Sequence, residues 1–174
     1  MMISYNYTGN QFFRIGRNEP IGSLFKKAKI MIDAFLPIKC LEAAVLAIYL
    51  TQELNGIQRF LISFCTEFEG EVYKHVVLGI YAEERFGALG LSRRSDLMFK
   101  ALEFHTLNAL IYSYKSAYEN YQHQLIKVKL GLPISHRPYI LDVLPRKGIT
   151  LSDKILSHPK KMNDILDRYS RLVS

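Results

Sequence analysis

Cys40 is the residue of this sequence that is best placed for nucleophilic chemistry. It follows Pro37-Ile38-Lys39 and opens an apolar run, residues 41–50, that predicts a buried helix ending near Asn55-Gly56. A thiol in the first turn of a helix lies beside unpaired N–H groups, whose partial positive charge favours the thiolate. The charge of Lys39 acts in the same direction. The sequence therefore indicates a candidate nucleophile that needs a base.

Three segments after this helix predict strands. Apolar side chains alternate with polar ones, and short charged turns separate the segments. The predicted strands cover residues 60–68, 72–81 and 86–92. Consecutive strands with short turns form an antiparallel meander.

His75 lies on the second predicted strand and is the candidate base. Alternation places it on one face with Tyr73, Val77 and Tyr81, and we expect that face to pack against the Cys40 helix. A third polar group must orient the imidazole. The next strand offers no carboxylate, so Ser92 at its end is the available orienting residue.

Other elements complete an α+β arrangement over one domain, residues 1–174. Its helical part covers about residues 1–56, and the sheet and later helices cover about residues 57–174. The remaining predictions are a helix over 24–36 capped by Ser23, a helix over 107–125 capped by Thr106, a strand over 126–130, a loop over 131–148 and a final helix over 152–172 interrupted near Pro159. Papain-like and transglutaminase-like enzymes place a cysteine and a histidine in such a helix-then-sheet arrangement.

Composition limits the class of protein. The 174 residues are 49% hydrophobic and 12% aromatic, which excludes disorder for most of the chain. No apolar stretch reaches the roughly 18 residues that span a bilayer, and the first residues lack the pattern of a secretory signal. The two cysteines form neither a disulfide framework nor a zinc spacing. We therefore expect a cytoplasmic protein without a membrane span, metal or cofactor.

The formal charge of +7 is unevenly distributed. Residues 1–40 and 123–150 are basic, whereas residues 41–122 are slightly acidic. Such a pattern favours an anionic partner, and charge alone does not choose between nucleic acid, an acidic peptide and a membrane surface. Net charge is the only support for nucleic acid, so we expect no nucleic-acid role.

Five segments of the chain resemble the vasohibin family. They are YNYTGNQFF at residues 5–13, LPIKCLEA at 36–43, HVVLG at 75–79, GALGLSRR at 87–94 and KVKLG at 127–131. The resemblance covers about residues 5–131 and, more weakly, the last helix. Vasohibins are transglutaminase-like cysteine carboxypeptidases that remove the C-terminal tyrosine of α-tubulin.

The resemblance implies roles for six residues. Cys40 would be the nucleophile, His75 the general base and then acid, and Ser92 the residue that orients the imidazole through a main-chain oxygen or its hydroxyl. Tyr5 would stabilise the oxyanion. The remaining two, Lys39 and Arg93, would bind the terminal carboxylate of the substrate. No metal or organic cofactor is implied.

The resemblance also implies partners. These are the acidic C-terminal tail of α-tubulin on cytoplasmic microtubules and a small vasohibin-binding protein, although the upstream region that clasps the latter is expected to be largely absent. Cys65 stands where the family commonly has a lysine, and we expect it to be structural.

Two alternatives remain open from the residues. One is a non-catalytic module that binds tubulin or another acidic tail. The other is a transglutaminase-like peptidase or amidase with a different C-terminal substrate. Outside these roles, we expect packing or surface positions for His105, His123, His136, His158 and the tyrosines Tyr112, Tyr114, Tyr118 and Tyr121 of the long helix.

Overall fold

The computed structural model describes residues 3–145 and 148–174. In this part of the chain, six strands form one sheet in the order β4-β3-β2-β1-β5-β6, and every pairing is antiparallel. The elements are α1 Ile21–Ala34, α2 Cys40–Thr51, β1 Gln58–Phe68, β2 Glu71–Ala82, β3 Arg85–Leu89, a 3₁₀ turn Ser95–Leu97, β4 Lys100–Phe104, α3 Leu107–Asn120, β5 Gln124–Gly131, β6 Gly148–Ser152, α4 Asp153–Leu156 and α5 Pro159–Val173. The α+β prediction is confirmed.

Helices cover both faces of the sheet. The larger core joins Phe60, Ile62 and Val77 of the sheet to α3 and α5. On the opposite face, Leu78 and Ile80 of β2 pack against α2. α1 packs outside α2. α2 therefore lies between α1 and the sheet, which explains why eight of its twelve residues are buried.

The buried guanidinium of Arg59 holds the far end of α2 in place. It donates to the carbonyl oxygens of Ile48 at 3.0 Å and Ser135 at 2.8 Å. Cations are favourable near the carbonyl end of a helix. The contact ties α2 to the segment after β5 and fixes the helix that presents Cys40.

Most elements match the sequence predictions. α2 begins at Cys40 as predicted but ends at Thr51, before Asn55-Gly56. The first two strands are confirmed, and the hydroxyl of Thr106 caps α3 by accepting from the Ala109 N–H at 3.1 Å. Likewise, the strand near residues 126–130 and the break before Pro159 are confirmed.

The Ser23 cap is wrong. α1 begins at Ile21, directly after Pro20, so Ser23 lies within the helix, where its hydroxyl donates to Glu19 Oε1 at 2.5 Å. A proline lacks an N–H and has a preset φ, which suits it to a helix start. α1 ends at Ala34, and Phe35 takes a left-handed conformation with φ of 56°.

Two short edge strands, β4 and β6, were not predicted from the sequence. β4 follows a loop that had no assignment, and β6 begins at the end of the predicted loop 131–148. Each has five residues, too few for a clear alternation of apolar and polar side chains. β3 also ends at Leu89, so Ser92 lies beyond the strand that was expected to carry it.

The expected face for His75 is also wrong. His75 pairs with Phe64 and Val77 pairs with Ile62, so these side chains share the sheet face that packs against α3. α2 lies on the other face. Strand alternation was read correctly, but alternation does not reveal on which face a preceding helix crosses.

Candidate active site

Cys40 lies beside β2, in a cleft that His75 also lines. β3 pairs with β2 only between Leu78 and Ala82, so the earlier residues of β2 have no β3 neighbour. The N-terminus of α2 enters this gap, and the Val76 N–H is directed to the Cys40 sulfur as a hydrogen-bond donor. Cys40 therefore lies at the strand edge, beside Val76, the residue that follows His75 in β2.

Gly90 directly follows β3, at the point where the chain stops pairing with β2 and turns away from it. A Cβ at this position would lie 2.7 Å from Cγ1 of the buried Val77. This is far inside the usual carbon–carbon separation of about 3.5–4.0 Å. Only a residue without a side chain lets the segment after β3 turn away at this distance.

A buried carboxylate organises the start of α2. Glu42 is 0% exposed and accepts from the Lys39 N–H at 2.5 Å and from the Phe13 N–H at 3.2 Å. The first contact satisfies an N–H at the helix start, as in a capping box. The second anchors the N-terminal segment against α2.

Tyr5 is brought to the site by a parallel bridge with Ile38. The Ile38 N–H donates to the Ser4 oxygen at 3.1 Å, and the Asn6 N–H donates to the Ile38 oxygen at 2.8 Å. The N-terminal segment therefore runs beside the residues that precede Cys40. Tyr5 lines the same cleft as Cys40.

The imidazole of His75 is oriented by a main-chain carbonyl. Its Nε2 lies 2.6 Å from the Leu97 oxygen. Because a carbonyl oxygen only accepts hydrogen bonds, Nε2 carries the proton and Nδ1 has the free lone pair. The ring is also stacked on Phe64, with centroids 6.2 Å apart. Nδ1 is thus the basic atom of the site.

Leu97 thereby takes the orienting place that was expected for Ser92. The Ser92 hydroxyl accepts from the Arg94 N–H at 3.3 Å, and it makes no hydrogen bond with His75 among the described residues. Two tyrosines hold the Leu97 turn: Tyr114 donates to the Met98 oxygen at 2.7 Å, and Tyr121 donates to Asp96 Oδ1 at 2.8 Å. Every residue type has a carbonyl, so no side-chain pattern could have identified Leu97.

A cleft of about 510 Å³ contains most of the predicted site residues. Those that line it are Tyr5, Cys40, His75, Ser92 and Arg93. Lys39 is not among them; it is half-buried at the N-cap of α2. Arg93 is exposed, and no acidic side chain pairs with it in the described parts of the chain.

The cleft also has an aromatic lining that the sequence analysis missed. Its members are Phe68, Tyr73, Tyr118, Tyr121 and His123. Tyr118 is buried in the core and Tyr121 packs against it, as expected, and both also line the cleft with His123. These residues come from the end of α3 and the loop after it, and only the fold brings them beside Cys40.

A second cleft of about 360 Å³ opens from Cys40 and His75 across the sheet. It is lined by Cys65 and the exposed lysines Lys74, Lys127 and Lys129. Cys65 pairs with Lys74 on β2 and with Lys127 on β5, so the two bases flank it in one row of the sheet. Within residues 3–145 and 148–174, none of the three lysines has an acidic partner. This face favours an anionic ligand.

Burial is the largest influence on the pKa values of Cys40 and His75. It raises the pKa of the Cys40 thiol, against the opposing effect of the N–H groups of Val76, Leu41 and Cys40 itself. It also lowers the pKa of the His75 imidazole, against the effect of the Leu97 carbonyl. The N–H groups at the helix start do favour the thiolate, but burial outweighs them. Both shifts favour the neutral forms, a thiol at Cys40 and an uncharged imidazole at His75.

Two further structural results bear on function. None of the helices among the described residues is long and apolar enough to cross a membrane. In the same residues, no group of three His, Cys, Asp or Glu side chains is arranged to hold a metal ion.

Comparison with known proteins agrees with the motifs in the sequence. The sequence pattern of the vasohibin family matches residues 1–174. A mouse protein named Tubulinyl-Tyr carboxypeptidase 1 is 43% identical over 169 residues, which cover 97% of this chain and 45% of the mouse protein. The chain thus spans about half the length of this curated relative. The match of the family pattern over the whole chain, together with the 43% identity to the mouse protein, shows that this protein belongs to the vasohibin family.

Proposed function

We propose that this protein is a thiol carboxypeptidase that removes the C-terminal tyrosine of α-tubulin. The observation that carries the proposal is that Cys40 and His75 line one cleft, with Nδ1 of His75 left free by the Leu97 contact. The same cleft holds Arg93, which has no acidic partner among the described residues. The activity in the name of the mouse relative supports the same reaction. We propose a transglutaminase-like arrangement of these residues on the observed α+β fold.

The first half of the reaction forms a thioester. Nδ1 of His75 takes the proton of the Cys40 thiol as the sulfur attacks the carbonyl carbon of the last peptide bond. Negative charge develops on the carbonyl oxygen, and the Tyr5 hydroxyl and the N–H groups at the start of α2 are the available donors for it. The Leu97 carbonyl stabilises the imidazolium that forms. His75 then protonates the amine of the leaving tyrosine, and the peptide bond breaks.

The second half releases the shortened chain. His75, again neutral, takes a proton from a water molecule that attacks the thioester carbonyl. The tetrahedral intermediate collapses, the sulfur leaves, and His75 returns the proton to it. The products are free tyrosine and a tail that is one residue shorter.

Charge in the two clefts orients the substrate. An enzyme that removes one residue must recognise the chain end, and Arg93 beside Cys40 is the candidate partner of the terminal carboxylate. Lys39 is at most a secondary contact, because it does not line the cleft. The residues before the scissile bond would cross the lysine-lined cleft, which suits the acidic tail of tubulin. Ser92 would act through its position beside Arg93 and not as the orienting residue of the imidazole.

A small vasohibin-binding protein is the second proposed partner. Large apolar side chains are exposed at the end of α1, among them Ile30, Phe35 and Leu36. Such a patch is typical of a binding surface for an apolar helix face. Action on tubulin would place the protein in the cytoplasm, on microtubules.

Tyrosine release from tubulin tests the proposal. We expect the purified chain, alone or with the small partner, to release tyrosine from tyrosinated tubulin, and we expect Cys40→Ala to abolish release. Cys65→Ala is the matched control and should retain most activity. Release by folded Cys40→Ala would refute the mechanism. Saturable binding of tubulin without any release by the wild-type chain would support the binding module instead.

A further inference from the structure

The carbonyl that orients His75 belongs to a short turn with little support of its own. The 3₁₀ turn Ser95–Leu97 has three residues, and no side chain caps its start. Within it, the Leu97 N–H donates to the Arg94 oxygen at 3.1 Å. Hydrogen bonds of a 3₁₀ turn have poorer geometry than those of an α-helix. The Leu97 oxygen therefore depends on contacts with other elements for a fixed position.

Two tyrosines of the third helix provide those contacts. The Tyr114 hydroxyl donates at 2.7 Å to the oxygen of Met98, the residue after Leu97. Tyr121, at the end of α3, donates at 2.8 Å to Oδ1 of Asp96, the residue before Leu97. Positions 114 and 121 are about two helical turns apart and lie on one side of α3. The turn is therefore attached to α3 on both sides of Leu97.

Tyr114 also fixes the plane of the imidazole. Its ring lies 4.7 Å from the ring of Phe64, centroid to centroid. Phe64 in turn stacks on His75 with an interplanar angle of 19°. Tyr114 thus supports the ring face through Phe64 and the Nε2 contact through the Leu97 turn. It is 0% exposed and does not line the catalytic cleft, so it has no direct access to a substrate.

Charged side chains strengthen the attachment of the turn. The Arg94 guanidinium lies 4.3 Å from the centroid of the Tyr121 ring, and the Lys100 amine lies 5.1 Å from that of Tyr114. Both contacts are attractive, because the face of an aromatic ring is negative. Burial lowers the pKa of Lys100, and the Asp96 carboxylate opposes that effect. The hydrogen bond to Asp96 raises the pKa of the Tyr121 phenol, and burial raises that of Tyr114. Both hydroxyls therefore remain protonated donors at neutral pH.

We propose that Tyr114 and Tyr121, together with Asp96, are positioning residues for the general base. They hold the Leu97 oxygen against Nε2 of His75, which keeps the proton on Nε2 and the lone pair on Nδ1. The inference rests on the proposed carboxypeptidase function, in which Nδ1 takes the thiol proton.

The proposal predicts a loss of rate together with a change in pH dependence. A misplacement of about 1 Å costs about 100-fold in rate, and one remaining attachment should limit the loss to about 5–10-fold. Burial lowers the pKa of His75, and the Leu97 carbonyl opposes that effect because it stabilises the imidazolium. When the carbonyl moves away, that pKa falls further, so the acid limb of kcat/KM should move to lower pH. A smaller folded fraction would lower kcat without moving the limb.

The experiment measures kcat, KM and the pH profile for an acidic peptide that ends in tyrosine. Tyr114→Phe removes the hydroxyl and keeps the ring on Phe64. Asp96→Ala removes the acceptor of Tyr121, whereas Asp96→Asn keeps an Oδ1 that can accept and should retain most activity. Tyr112→Phe is the matched control, because Tyr112 is half-buried on the same helix and its hydroxyl has no hydrogen bond among the described residues.

The expected pattern separates positioning from simple loss of structure. Tyr114→Phe and Asp96→Ala should each lower kcat about 5–10-fold, change KM less than about twofold and move the acid limb to lower pH. Tyr112→Phe should match wild type in all three. Asp96→Ala, at a half-buried position, covers the case in which Tyr114→Phe is unstable.

A second readout needs no turnover. Nitrogen-15 NMR of the neutral His75 ring distinguishes the Nε2–H tautomer from the Nδ1–H tautomer, and the signal is assigned by its loss in His75→Gln. Wild type should show the Nε2–H form, and Tyr114→Phe and Asp96→Ala should show a mixture of the two.

Two results would overturn the inference in distinguishable ways. If folded Tyr114→Phe and Asp96→Ala keep the wild-type acid limb and the wild-type tautomer, these residues do not position the base, and the carboxypeptidase function still stands. If the wild-type chain releases no tyrosine, with and without the small partner, the proposed function fails, and the role of these residues in that reaction fails with it.

Discussion

Replacement of Gly90 by alanine should lower kcat strongly, although Gly90 takes no part in the proposed reaction. The new Cβ would lie 2.7 Å from Cγ1 and 3.2 Å from Cβ of Val77. Val77 is fully buried in the core against α3 and has no space to retreat. The segment after β3 must therefore move by about 1 Å to restore normal contacts.

The expected magnitudes follow from that displacement. The Leu97 oxygen is 2.6 Å from Nε2 of His75, and a shift of about 1 Å takes the contact beyond hydrogen-bond range. A misplacement of this size costs about 100-fold in rate. Overpacking of the core costs about 1–3 kcal/mol of folding free energy, which lowers Tm by roughly 2–12 °C for a chain of this size.

The assay measures kcat for tyrosine release and Tm on the same preparations. Gly9→Ala is the matched control, because a Cβ at Gly9 meets nothing within 4 Å. We expect Gly9→Ala to behave as wild type and Gly90→Ala to lose most of its kcat while remaining folded at the assay temperature. If Gly90→Ala matches Gly9→Ala in both kcat and Tm, then the close passage at Val77 does not position Leu97, and the reasoning fails.

Two further predictions concern charge. Burial lowers the pKa of His75, and His75 must be neutral to accept the thiol proton. The acid limb of the kcat/KM profile should therefore lie below the usual histidine pKa of about 6.5. An acid limb above pH 7 in a pH–rate profile would contradict this prediction. The double change Lys127→Ala, Lys129→Ala should raise KM for an acidic peptide about 5–10-fold with little change in kcat, and the difference should shrink at high salt because exposed charges are screened. The control is a second double variant, Lys160→Ala with Lys161→Ala, on the exposed side of α5. Equal KM values for the two double variants would exclude the lysine-lined cleft as the surface that binds the peptide.

The individual elements were largely readable from local patterns. The apolar run after Cys40 predicted α2 and its first residue, and alternation predicted β1 and β2 because a strand with a buried face repeats every second residue. The five-residue strands β4 and β6 were missed because pairing with a neighbour, and not their own sequence, makes them strands.

The site could be predicted only in part, because it too depends on contacts between elements that are distant in the sequence. The sequence by itself determined the candidate reactive side chains Cys40 and His75 and the nearby bases, since their chemistry and motif spacing are local properties of the chain. Tertiary structure alone decided that Cys40 lies at a gap beside β2, that the Leu97 carbonyl orients the imidazole, and that burial raises the pKa of the thiol. It also decided that His123 joins the cleft. Those outcomes depend on which elements meet, on main-chain atoms that every residue has, and on the water that packing excludes.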